Sequence, residues 1–153
     1  MMQWKNVDIE RYREAKTYID TLFMPLIPFQ LSSDDDLGKH TFQSEALMIF
    51  LNELEKELSG RVLLTPAYTY LIHTSKDNEI ERIGQWVEDI YQQPFEHIFF
   101  FTHDAKWKKF EKHLDGSLIW IPGTSSGDIY SEDFVQRIRE QVKDMSELIR
   151  SYW

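Results

Sequence analysis

The chain has no cysteine, so disulfides, thiolate metal sites and cysteine nucleophiles are excluded. Basic residues are scarce: 17 Lys and Arg stand against 26 Asp and Glu, a formal net charge of −9. A general nucleic-acid or anionic-membrane binder needs the opposite balance or a dense basic stripe. The nearest thing to a stripe is Lys106, Lys108, Lys109 and Lys112, which reads as the solvated face of one short helix. No run approaches the roughly 20 apolar residues of a membrane span. The opening residues, from Met1 to Arg11, hold no apolar core of signal-peptide length. The five histidines are scattered, with no H-x-H or H-E-x-x-H, so no metal site is expected. These absences lead to the expectation of a cytoplasmic protein with neither membrane insertion nor nucleic-acid binding.

What is present points to one α/β domain spanning residues 1–153. Ten Phe, seven Tyr and five Trp suit a well-filled core and leave aromatic surface for a partner. The most informative stretch is His97-Ile98-Phe99-Phe100-Phe101-Thr102-His103-Asp104. A strand this apolar is buried on both faces, which implies a parallel sheet covered by helices. Ligands bind beyond the carboxyl ends of such strands.

Along the chain, residues 8–16 read as a short helix with Asp8 as cap. Residues 17–23 are β-rich, and Pro25 and Pro28 then argue against a regular central strand. Leu47, Leu51, Leu54 and Leu58 mark one face of a helix over 41–58, ended by Gly60. A strand at 61–65 is stopped by Pro66; residues 67–73 fit a strand extension, a short second strand or a packed loop. A helix over 77–92 buries Ile80, Ile83, Val87 and Ile90. Its Gly84 invites a close approach by a neighbouring element. After the 97–102 strand, Asp104 caps a helix bearing Trp107, Phe110 and Leu114. Residues 117–121 form another buried strand. Ser131 caps a last helix whose stripe is Val135, Ile138, Val142, Met145 and Ile149. Strands alternating with helices imply right-handed crossovers and a mainly parallel sheet. The expected architecture is a three-layer, doubly wound sheet of four or five strands with helices on both faces, Rossmann/flavodoxin-like, in the order 2-1-3-4.

No constellation completes a catalytic set. Gly123-Thr124-Ser125-Ser126-Gly127 matches the G-x-S-x-G of a hydrolase nucleophile elbow. No histidine follows Ser125, however, and the next helix cap is Ser131. As a phosphate cradle the loop offers amides and hydroxyls but lacks the Lys of a Walker A loop. His103-Asp104 forms an acid/base pair on one reading, and a loop histidine beside a helix cap on the other. Asp34-Asp35-Asp36 lacks calcium-loop spacing and reads as a solvated turn. A response-regulator receiver is excluded: the first strand runs into Met24-Pro25-Leu26 instead of an acidic pair, and no Lys stands directly after Ile121. The terminal Tyr152-Trp153 fits either core packing or a partner contact.

Three stretches taken together resemble the YpiF-like family of uncharacterised proteins from Bacillus-type bacteria. They are Tyr18-Ile19-Asp20-Thr21-Leu22-Phe23 with Pro25 and Pro28, Leu64-Thr65-Pro66-Ala67-Tyr68, and Phe100-Phe101-Thr102-His103-Asp104 with Trp107. The resemblance brings no assigned activity and no catalytic residues. Through the position of the family's genes beside those of the menaquinol–cytochrome c reductase, it implies an accessory role near respiratory-complex production. Two functional expectations follow. One is a non-catalytic protein acting through a protein partner or as a homodimer, without a cofactor. The other is a binder of a small anionic molecule, phosphate or nucleotide, or an enzyme acting on one. Its cleft would be lined by Thr65, Thr102, His103, Asp104, Gly123, Thr124, Ser125 and Ser126 at the carboxyl edge of the sheet.

Overall fold

The computed structural model describes residues 2–123 and 127–153. Its elements run α1 (Asn6–Ala15), β1 (Thr21–Phe29), α2 (Leu37–Glu57), β2 (Val62–Leu64), β3 (Tyr68–Leu71), α3 (Lys76–Ile90), β4 (His97–Thr102), β5 (Ser117–Trp120) and α4 (Glu132–Arg150). Two 3-10 helices, Asp34–Asp36 and Ala105–His113, complete the order.

The five strands form one sheet in which every pairing is parallel. The order is β2-β1-β4-β5, with β3 pairing further along the same edge of β1 as β2. Counting β2 and β3 as one interrupted strand gives the expected 2-1-3-4. The 67–73 ambiguity thus resolves as a short second strand.

Side chains alternate across the sheet and build two cores. Phe23 and Ile27 of β1, with Phe99 and Phe101 of β4, pack under α2 and α4. Leu22, Met24, Leu26, Ile98 and Phe100 pack on the other face, against α1, α3 and the 3-10 helix that carries Trp107. Helices therefore cover both faces. Phe101 meets Phe23 edge-on at 4.9 Å and Phe50 at 6.3 Å. Each such buried ring removes enough apolar surface from water to contribute about 1.5–3 kcal/mol.

The prolines of β1 overturn one expectation. Thr21 N–H donates to Arg61, Thr65 N–H to Phe23, and Ile72 N–H to Phe29, so odd-numbered residues of β1 bond toward β2 and β3. Pro25 belongs to that set, and its missing N–H falls at the seam between β2 and β3, where Thr65-Pro66-Ala67 interrupt the edge. Pro28 belongs to the opposite set, and β4 no longer pairs with β1 beyond Pro25. Both prolines thus sit in an interior strand at positions where no partner wants a donor.

Other local expectations shift as well. Asp8 lies inside the first turn of α1, buried, accepting from Gln3 N–H at 3.1 Å and from Arg11. The segment after Asp104 is 3-10 and not α-helical. The strand β5 is only half-buried because it is the sheet edge. Val135 is exposed and Phe134 takes its place in the α4 stripe. Nothing lies within 4 Å of a Cβ placed on Gly84, so no close approach explains that glycine. The caps at Asp104 and Ser131 each accept a backbone N–H as expected, and Ser75 caps α3 in the same way. Tyr152 packs edge-on Phe99, and Trp153 donates to Thr21 and lies under Arg61, so both terminal rings are held by their own chain.

Candidate functional site

The carboxyl end of β4 is where strand alternation separates neighbours. Thr102 continues the Ile98-Phe100 face and His103 the Phe99-Phe101 face. Thr102 is fully buried, and its hydroxyl accepts from Asp104 N–H at 2.9 Å. The Asp104 carboxylate is then fully engaged. Its Oδ1 caps the 3-10 helix through Lys106 N–H at 3.0 Å. Its Oδ2 accepts from the Tyr70 hydroxyl at 2.6 Å and pairs with Lys76 Nζ at 3.4 Å. Trp107 Nε1 donates to the same Tyr70 oxygen at 2.9 Å. The Lys76 ammonium lies over both rings, 4.6 Å from Tyr70 and 5.2 Å from Trp107. Burial opposes ionisation of Asp104, but Tyr70, the Lys106 amide and Lys76 outweigh it and hold the carboxyl below its ordinary value. Burial, and next the bond to Asp104, push the Tyr70 phenol far up. Lys76 and Asp104 are thus locked into a closed buried network. A general-base role for Asp104 does not suit this geometry, because both carboxylate oxygens are already held by partners within the fold.

On the other face, His103 meets a recess of about 190 Å³ whose walls include Ala46, Phe50, Phe134 and Ile138. Arg137 and Gln141 of α4 complete its polar rim, and Pro122 and Gly123 its floor. Nδ1 of His103 lies 2.7 Å from the Ile121 carbonyl, and Trp120 Nε1 donates to the His103 carbonyl at 3.2 Å. A Cβ on Gly123 would come within 2.8 Å of Nδ1, so only glycine lets this segment close on the ring. Nε2 is buried and has no partner. Burial lowers the imidazole pKa, with the Ile121 bond acting weakly in the other direction.

The predicted cleft therefore divides. His103 and Gly123 come together, with Arg137 and Gln141 as members that the sequence pattern did not single out. Thr102 and Asp104 go to the opposite face. Thr65 lies elsewhere, beside α1 and α3, with its hydroxyl donating to backbone carbonyls of Pro66 and Phe23. Thr124, Ser125 and Ser126 lie outside the described residues. Helix α4 begins only at Glu132, as the argument against a nucleophile elbow requires.

Thr65 instead borders an apolar groove of about 600 Å³ between α1 and α3. Trp4, Ile9, Tyr12, Trp86, Ile90 and Phe95 form its walls, with Asp89 among them. Trp4 is 67% exposed and Trp86 38%. Tyr12 stacks on Phe95, with ring centroids 6.4 Å apart.

At the amino edge, Asp20, Glu96 and His97 lie close enough to share an ion, the only such group among the described residues. Both Asp20 oxygens are, however, taken by Arg61 at 2.9 and 2.8 Å. Burial opposes ionisation of Asp20, and Arg61 prevails, holding it below its ordinary value.

The family model described as "Protein of unknown function (DUF2487)" matches residues 10–153. The chain belongs to this family. It is also similar to the "Uncharacterized protein YpiF" of Bacillus subtilis (strain 168), at 33% identity over 110 residues, 70% of this chain and 69% of the relative. The resemblance carried by the three sequence motifs is thereby confirmed. No solved structure gives a significant match. In this DUF2487 chain, the Phe100-Asp104 motif leads into both the closed network and the open recess, and Leu64-Tyr68 forms the seam of the sheet edge.

Proposed function

We propose that the protein is a non-catalytic binding protein that receives an apolar, basic-flanked amphipathic helix of a partner in the groove between α1 and α3. The observation that carries this reading is the groove itself: a concave apolar surface with two tryptophans exposed at its rim. Exposed aromatic surface in a concave setting is the usual anchor of an interface. A helix laid in a groove presents apolar residues three and four positions apart, matching a groove bounded by two helices. The partner's charge follows from Asp89 in the wall and the net charge of −9. The absence of a complete catalytic set in the sequence fits the same reading. So does the accessory role near respiratory-complex production that the family resemblance implies.

Tryptophan emission tests it. A synthetic Leu/Lys amphipathic helix is expected to shift emission saturably, and Trp4→Ala and Trp86→Ala are each expected to weaken binding at least tenfold. A scrambled or Leu/Glu peptide binding equally well, or variants that bind as the wild type does, would contradict the proposal.

A further inference from the structure

The two outer edges of the sheet differ. On the β2 edge, Gln3 bridges to Leu64, and the Leu64 N–H donates to the Met2 carbonyl at 3.0 Å, so a segment of the same chain occupies that edge. No strand or bridge lies along the outer side of β5 among the described residues. Ile121 N–H donates to the Thr102 carbonyl, and Ser117 and Ile119 share its parity, so these residues bond toward β4. Leu118 and Trp120 turn their N–H and C=O groups the other way. No partner for them exists among the described residues. Unpaired strand groups of this kind are a template for another strand.

The flank of this edge is basic, although the chain carries a net charge of −9. The 3-10 helix Ala105–His113 packs beside β5 and bears Lys106, Lys108, Lys109 and Lys112 against a single carboxylate, Glu111. A 3-10 run longer than about four residues is uncommon, and residues three apart eclipse in it, so Lys106, Lys109 and Lys112 stand in one row about 6 Å apart. All four lysines are exposed, and none pairs with a carboxylate among the described residues. The Lys108 ammonium instead lies 3.6 Å over the Trp120 ring, which places it on the edge strand itself.

From the open edge and the unmatched charge we infer that β5 receives an extended, acidic segment of a partner protein as an added strand. Its backbone pairs with Leu118 and Trp120, which supplies affinity without regard to sequence. A carboxylate on the Trp120 face meets Lys108, which selects acidic segments. The row of Lys106, Lys109 and Lys112 adds attraction at longer range. The occupant is not a second copy of this chain. An isologous β5–β5 contact sets the lysine-bearing helix of one protomer beside the same helix of the other, like charge against like charge. Nucleic acid brings negative charge but no peptide groups to match the edge. The proposal is independent of the groove between α1 and α3, which takes a partner of opposite charge.

The test is a titration of the full chain with a capped peptide of alternating Glu and Val, followed by the backbone ¹H–¹⁵N resonances. Three probes serve as controls: the same peptide N-methylated at alternate amides, a Lys/Val peptide and an oligothymidylate. The Glu/Val peptide is expected to bind saturably and to move the Leu118 and Trp120 amides most. N-methylation, which keeps the charge and removes the strand donors, is expected to weaken binding at least about tenfold. Lys108→Gln is expected to weaken it about fivefold, and Lys108→Arg to restore it, which separates the charge from any effect on folding. The inference is overturned if the Glu/Val peptide does not bind saturably or if its binding leaves the Leu118 and Trp120 amides unmoved. It is equally overturned if the N-methylated or Lys/Val peptide binds as well, or if Lys108→Gln leaves affinity intact. Oligothymidylate binding at these amides as tightly as the peptide would also overturn it, in favour of a nucleic-acid surface.

Discussion

Asp104 and His103 are neighbours in sequence and opposites in circumstance. On the Asp104 side of the sheet every polar atom of Thr102, Asp104 and Tyr70 is engaged, and the Lys76 charge is matched by a carboxylate and two aromatic faces. On the His103 side one buried nitrogen, Nε2, has no hydrogen-bond partner. The difference teaches how to divide a strand end between stability and function. A closed network is fully used by the fold, whereas an unpartnered buried acceptor leaves a desolvation cost unmatched. Proximity in sequence hides this, because one residue along a strand reverses the face.

The sharpest way to break the comparison is to open the closed side. Asp104→Ala strands a buried ammonium, removes the acceptor of Tyr70 and deletes a helix cap. We expect a loss of about 3–5 kcal/mol in urea unfolding. Lys76→Met is expected to cost less, since Asp104 keeps Tyr70 and the Lys106 amide, and the double variant should recover part of the loss. A loss below about 1 kcal/mol for Asp104→Ala would show the network to be incidental.

Acid separates the two sides next. The folded-state pKa of His103 is depressed, so the unfolded chain binds the extra proton first. Stability should therefore fall as pH drops below about 6.5, through a window that closes at the folded value. His103→Gln should flatten that window. Asp104 is also depressed; its contribution is present above 3.8 and is lost only at lower pH. Stability that stays flat from pH 7 to pH 5 in the wild type would contradict the burial of His103.

The smallest effect has the opposite sign. Gly84 is an exposed, helical glycine of α3, the helix that begins at Lys76, and a Cβ there meets nothing within 4 Å. Gly84→Ala should raise stability by up to about 1 kcal/mol in denaturant unfolding, without altering the His103 resonances. A destabilised variant would mean that α3 is packed differently.

Much of this was legible in the sequence where the signal is local. The apolar run of β4, the leucine face of α2 and the caps at Asp104 and Ser131 all follow from periodicity and from short-range hydrogen bonding, whereas the strand order rests on the likeness of alternating strands and helices to doubly wound sheets. The proline-bearing strand was not legible. Its tolerance depends on where β2 ends and β3 begins, which only the assembled sheet defines. The candidate site was half legible. Thr102, His103 and Asp104 stand at a strand end, but their division between faces depends on the exact register. Tyr70 and Lys76 reach Asp104 from distant parts of the chain. Arg137 lies on α4 among other exposed charges, and nothing local distinguishes it from them.

The most direct test of the account is the protonation state of His103 at pH 7, measured by long-range ¹H–¹⁵N correlation on the imidazole. The account predicts a neutral ring with the proton on Nδ1 and an unprotonated Nε2. A proton on Nε2, in either the other tautomer or an imidazolium, would contradict it.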